Sequence, residues 1–168
     1  IFWRVNSLLR RTRRLTIPTD FRLQASLVLN RARVAQEAGN LSGAEDAYRE
    51  AMWLDPANAE VYYGLSWLAY KANRGDEMLR YIELALTINA NSDVYHFTHG
   101  MAQGMLGNLD YAMSAYRRAL KVNPYNLQAL FNLIFVADLH PSTTPEYALA
   151  LRREFDERFC KPLYEARQ

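Results

Sequence analysis

The sequence predicts an all-α solenoid of antiparallel helix pairs, and three observations predict it. One phrase is written twice: "AYREAMWLDPAN" from Ala47 to Asn58 and "AYRRALKVNPYN" from Ala115 to Asn126, 68 residues apart in a chain of 168. A third copy, "YIELALTINANS" from Tyr81 to Ser92, lies midway, so the period is 34 residues. Small and bulky residues alternate at that period, as they must where antiparallel helices approach closely and each pair leaves an apolar face for the next to cover.

Each period reads as a helix, a short turn, a second helix and a break. The second helix carries a small or slender residue at Ala44, Met78 and Ala112, a bulky one at Tyr48, Ile82 and Tyr116, and a small one again at Ala51, Ala85 and Ala119. Gly39, Asn73 and Gly107 mark the turn inside each pair, and Pro56, Ala90 and Pro124 mark the break after it. Three full repeats therefore cover 25–58, 59–92 and 93–126. A divergent fourth begins at Leu127 with "LQALFNLIFVADL" and meets "HPSTTPEY" where its inner turn belongs. There Pro141 and Pro145 stop one helix and start another, with Thr144 as the N-cap and Pro145 in the first turn. The last helix, predicted from Pro145 to Phe159, puts Tyr147, Leu151 and Phe155 on one stripe that can close the open end of the stack. The predicted organisation is an arm over 1–18, a solenoid over 19–140, and a capping helix with tail over 141–168.

A helix-turn-helix unit of this period, with these residues, resembles the tetratricopeptide repeat. The resemblance implies a right-handed superhelix that holds another polypeptide. Departures fall in the first helices: Ala35, Ala69, Gln103 and Ala137 stand where an aromatic is usual, and Arg31 and His99 where Leu is usual. A second resemblance covers Ala129–Gln168, which is similar to the junction leading into the catalytic domain of bacterial O-linked N-acetylglucosamine transferase-like (SPINDLY-type) proteins. Asn132, Leu133, Phe135, Pro141, Pro145, Phe159, Pro162 and Leu163 carry it. It implies ancestry or truncation and no activity, because that family's catalytic domain follows the point where this sequence stops. The family's asparagine ladder, which holds peptide backbone, matches Asn30, Gly64, Thr98 and Asn132, so only its two ends keep Asn.

Composition narrows the function further. The formal charge is +2, yet residues 1–24 hold six arginines against Asp20, a local +5 that leaves −3 for the rest. Cys160 is the only cysteine, which excludes an internal disulfide and favours a reducing compartment, so the expected location is cytoplasmic. Membrane association is expected only through the arm or an upstream segment, the first residue being Ile and not Met. Gly-rich phosphate loops, nucleophile elbows and paired catalytic carboxylates are missing from the sequence, so neither enzyme activity nor a cofactor is expected. His96 and His99 have ligand spacing on a helix but no third ligand at a matching turn, and no metal is expected.

Interaction surfaces are the remaining candidates. By repeat register the inner face of the first helices presents Leu29, Asn30 and Arg33; Tyr63, Trp67 and Tyr70; Phe97 and Met101; then Phe131, Asn132 and Phe135. Trp67, Met101 and Phe135 stand one period apart and would line an apolar strip suited to a peptide or an amphipathic helix of a partner protein. The competing expectation is that the chain's own arm covers this strip. In the arm, Ile1, Val5, Leu8, Thr12 and Leu15 share a helical face, while most of Arg4, Arg10, Arg11, Arg13 and Arg14 lie elsewhere. Such an arm is expected to act electrostatically on a protein or an anionic membrane surface. Nucleic acid is not expected, because Phe2 and Trp3 are its only aromatics. The expected function is a protein-interaction scaffold or adaptor subunit. The alternative is the substrate-recognition repeat fragment of a transferase lacking its catalytic domain.

Overall fold

The computed structural model describes residues 19–165, and every regular element among them is helical. In order these are α1 (Thr19–Glu37), α2 (Leu41–Leu54), α3 (Ala59–Lys71), α4 (Gly75–Ile88), α5 (Asp93–Met105), α6 (Leu109–Val122), α7 (Leu127–Leu139) and α8 (Pro145–Phe155). A π-helical turn (Asp156–Cys160) and α9 (Lys161–Glu165) follow. The all-α helix-pair repeat expected from the sequence is the fold that forms, with boundaries set by the 34-residue period. The basic arm, including Arg4, Arg10, Arg11, Arg13 and Arg14, lies outside the described residues.

The repeated positions have identifiable backbone jobs. Gly39, Asn73 and Gly107 close the turn within each pair with φ of +76°, +55° and +76°, the left-handed region that Gly enters freely and Asn tolerates. Asn58, Ser92 and Asn126, the last residues of the three repeated phrases, are the N-caps of α3, α5 and α7. Their side-chain oxygens accept from the N–H of Glu60, Tyr95 and Ala129 respectively. The phrase thus ends by starting the next helix. Thr144 caps α8 by accepting from the Tyr147 N–H at 3.2 Å, with Pro145 in the first turn. The last helix departs from expectation by leaving α geometry after Phe155. There the turn widens, and the Lys161 N–H bonds back to the Asp156 carbonyl. Pro162 explains the placement: it lacks an N–H for the carbonyl four residues back and its ring crowds that carbonyl.

The chain divides into two compact units, the first ending at Ala90 and the second beginning at Asn91. In the first, α1 packs on α2, α2 on α3 and α3 on α4. Ala44, Ala47 and Ala51 are buried along α2, and Tyr48 between them lies against Gly64 of α3. The Tyr48 hydroxyl donates to Gln36 Oε1 at 2.9 Å, so the ring is fixed at both ends. In the second unit the core comprises Ala112, Tyr116, Leu130, Leu133, Val136, Ala137 and Leu151. Tyr147 and Phe155 join Leu151 against this core, so the predicted stripe on α8 does cover the flank of α7. Burying Leu151 alone is worth about 1.5–3 kcal/mol.

Candidate protein-interaction surface

In each unit the first helices of successive pairs lie side by side. Arg33 of α1 reaches Glu60 of α3 at 2.5 Å in the first unit, and α5 touches α7 in the second. On α3, Tyr63, Trp67 and Tyr70 are half-buried and form one aromatic row. Tyr63 and Trp67 stand edge to face with centroids 6.4 Å apart, and Trp67 and Tyr70 do so at 5.2 Å. Such contacts, at about 0.5–1.5 kcal/mol each, hold Trp67 in a defined orientation while part of its ring remains accessible.

The second unit changes character from α5 to α7. Phe97 packs on Tyr116 with centroids 5.9 Å apart, and Met101 also leans on the core, so both are half-buried. Their counterparts on α7 are open: Phe131 is 62% and Phe135 56% exposed. Leu127 and Leu139 are exposed as well, and the spacing of these four places them along one stripe of α7. Two such phenylalanines in water are an unusual expense for a helix whose other face is already buried.

The polar candidates fall in different surroundings. Asn30 is exposed on α1, while Asn132 is half-buried with its amide donating to the Gln128 carbonyl at 2.9 Å. Between them in register, Gly64 is closed over by Tyr48, and Thr98 is buried with its hydroxyl donating to the Val94 carbonyl. These two positions therefore belong to the packing, as the loss of Asn there suggests. Leu29, expected on the inner face, is buried with Ala25, Val28 and Ala32. Arg33 is the cation among the inner positions, and Glu60 already engages it.

The two unusual residues of α5 form a polar inset. Gln103 is buried, with its Oε1 accepting from Asn108 Nδ2 at 2.9 Å and its Nε2 3.3 Å from His99 Nε2. Burial holds the His99 pKa below its ordinary 6.5, helped by His96 and Arg118. The unfolded chain takes up that proton as pH falls through about 6.5 while the folded ring stays neutral, so stability is lost as pH drops below this value. His99→Leu, which restores the residue found at Leu65 and Leu133, should flatten the fall in thermal midpoint between pH 7 and 5. Parallel pH profiles for the two proteins would contradict the assignment. Among the described residues no group of three or more His, Cys, Asp or Glu is arranged to hold a metal, and no helix is long and apolar enough to cross a membrane.

One feature escaped the sequence reading. A recess of about 360 Å³ in the second unit is lined by Asp110, Arg117, His140, Thr143 and Tyr147, among others. Its charged and polar groups pair with one another: Arg117 donates to the Tyr147 hydroxyl at 2.6 Å. His140 Nδ1 accepts from the Ser142 N–H, which puts the ring proton on Nε2, 3.1 Å from Asp110 Oδ1. The recess arises from how the Pro141–Pro145 turn lies against α6, and no spacing in the sequence announces it.

These helix pairs define a repeat protein of the tetratricopeptide class. The tetratricopeptide repeat family matches residues 3–154, and the chain belongs to it. Among curated proteins none matches the sequence. Among solved structures it is similar to a mutant of the Thermobaculum terrenum O-GlcNAc transferase, with a TM-score of 0.77 and 18% identity over 84% of this chain. This chain spans only 27% of that protein's length. It is also similar to the first repeat domain of Spaghetti (RPAP3) bound to the HSP90 peptide SRMEEVD, with a TM-score of 0.67 and 21% identity, covering 68% of this chain and 91% of that one. The second repeat domain of human RPAP3, in complex with the HSP70 peptide SGPTIEEVD, matches with a TM-score of 0.66 and 22% identity over 69% and 97% of the two chains. At these identities the likeness is one of fold.

Proposed function

We propose that this chain is a protein-interaction scaffold or adaptor subunit that holds a partner polypeptide on the inner faces of its first helices, within a larger assembly. The observation that carries the reading is the exposure of Phe131 and Phe135 on α7, in register with the partly accessible Trp67 on α3. Fold neighbours that carry bound peptides support the general role. The ligand class differs, on chemical grounds, from the acidic peptides of those neighbours. An acidic tail needs free cations to meet it, whereas Arg33 is taken by Glu60 and the other inner positions offer aromatic rings and Met101. An amphipathic segment with an apolar stripe suits these positions better, its aliphatic side chains packing on Trp67, Phe131 and Phe135. Catalysis has no part in this reading, and the site needs neither metal nor cofactor.

The comparison that tests this is a titration with two synthetic peptides. A 20-residue amphipathic helix with a leucine stripe should bind at least about tenfold more tightly than SRMEEVD, a difference of about 1.4 kcal/mol. Tighter binding of the acidic peptide would contradict the chemistry assigned to the inner face. A second reading, carried by the Ala129–Gln168 motif, is that the repeats select substrate for an O-linked N-acetylglucosamine transferase-like enzyme whose catalytic domain lies elsewhere in the gene product. The same inner positions would then hold the acceptor polypeptide.

A further inference from the structure

The face of α1 turned away from α2 is uncovered, and the same face of every other first helix is covered. Leu27 and Val34 are 62% and 65% exposed. One period further on stand Val61 and Leu68, then Tyr95 and Ala102, then Ala129 and Val136, and all six are buried. On α3 and α7 this face meets the second helix of the preceding pair, since α3 packs on α2 and α7 on α6. Gly64 against Tyr48, and Val136 in one cluster with Ala112 and Tyr116, are the contacts that show it. On α1, Leu23 extends the open stripe by one turn and is 64% exposed.

We propose that Ile1–Leu15 docks as a helix on the Leu23–Leu27–Val34 stripe of α1, in the place that a second helix holds before α3 and α7. Length fits, because α2, α4 and α6 each have 14 residues and 17 residues precede Pro18. Pro18 then stands where Pro56 and Pro124 stand, between a second helix and the next first helix. Apolar residues at Ile1, Val5, Leu8 and Leu15 recur at steps of four, three and seven, and those of α1 at four and seven, so both form helical stripes. The tetratricopeptide match begins at residue 3, ahead of α1, so the repeat pattern runs into this segment. Docking through that stripe leaves Arg10, Arg13 and Arg14 on the opposite side, where they stay available to an acidic surface. The segment therefore caps the first pair and is not the cover of the inner strip.

Thiol labelling of the full chain tests this. In a Cys160→Ser background, Leu27→Cys should react at least about tenfold more slowly than Tyr111→Cys, whose site on α6 is exposed. Adding Leu8→Asp and Leu15→Asp should restore the control rate. Labelling of Leu27→Cys at the control rate overturns the proposal. So does protection that survives the two aspartates, which would mean that another polypeptide or a second copy covers the stripe. Hydrogen exchange on the unmodified chain reads the same claim without substitution: amides of residues 3–15 should be protected, and exchange there at unfolded rates would refute the docked helix.

Discussion

Gly64→Ala is expected to destabilise the protein by about 2 kcal/mol, and Gly104→Ala to stabilise it by about 0.5–1 kcal/mol. The chemical change is the same, and the sign depends on what the new methyl meets. A Cβ at Gly64 would lie 2.3 Å from both Cε1 and Cζ of Tyr48. That ring cannot swing away, because it is buried among the alanines of α2 and its hydroxyl is tied to Gln36. Either α3 retreats from α2 or Tyr48 abandons its rotamer. At Gly104 no atom lies within 4 Å, so the methyl costs nothing in packing and gains helix propensity. Urea denaturation of the two variants checks the pair. Equal shifts in the same direction would show that the close approach of Tyr48 to Gly64 does not limit the packing.

Ala119→Glu is expected to cost about 2 kcal/mol or more, because overpacking and the burial of an unpaired charge act together. Ala119 has no exposed surface, and it lies on α6 with Ala112, Ala115 and Tyr116, the residues that let neighbouring helices close in. The exposed neighbour Lys121 offers the contrast. Lys121→Glu on the same helix should change stability by no more than about 0.5 kcal/mol. Comparable losses for the two would mean that the small-residue positions do not set the helix spacing.

Local chemistry explains which parts could be read from the sequence. The helix pairs were legible because each depends on short-range signals: a left-handed turn residue at Gly39, Asn73 and Gly107, and a cap at Asn58, Ser92 and Asn126. Thr144 and Pro145 announced α8 in the same way. Side-chain exposure was harder, since register gives a residue's direction but not the depth at which its neighbours stand. Phe97 and Phe135 are both inner-face positions, yet Phe97 leans on Tyr116 while Phe135 is open. The π-helical turn before Pro162 needed a balance between continuing α8 and accommodating the proline, which composition alone does not resolve. The uncovered stripe of α1 became visible only by comparing Leu27 and Val34 with their buried counterparts.

The central claim is that the inner face holds a polypeptide, and the Phe131→Ala/Phe135→Ala double variant isolates it best. Both rings are largely in water, so removing them should leave the thermal midpoint close to that of the wild type. The decisive measurement is the dissociation constant of the tightest peptide recovered from a random 20-residue display library, determined for the wild type and for this variant, with Arg117→Ala as the control. The account predicts a loss of about 2 kcal/mol, roughly 30-fold, in the double variant and little change in the control. Unchanged affinity in the double variant, at an unchanged thermal midpoint, would contradict it.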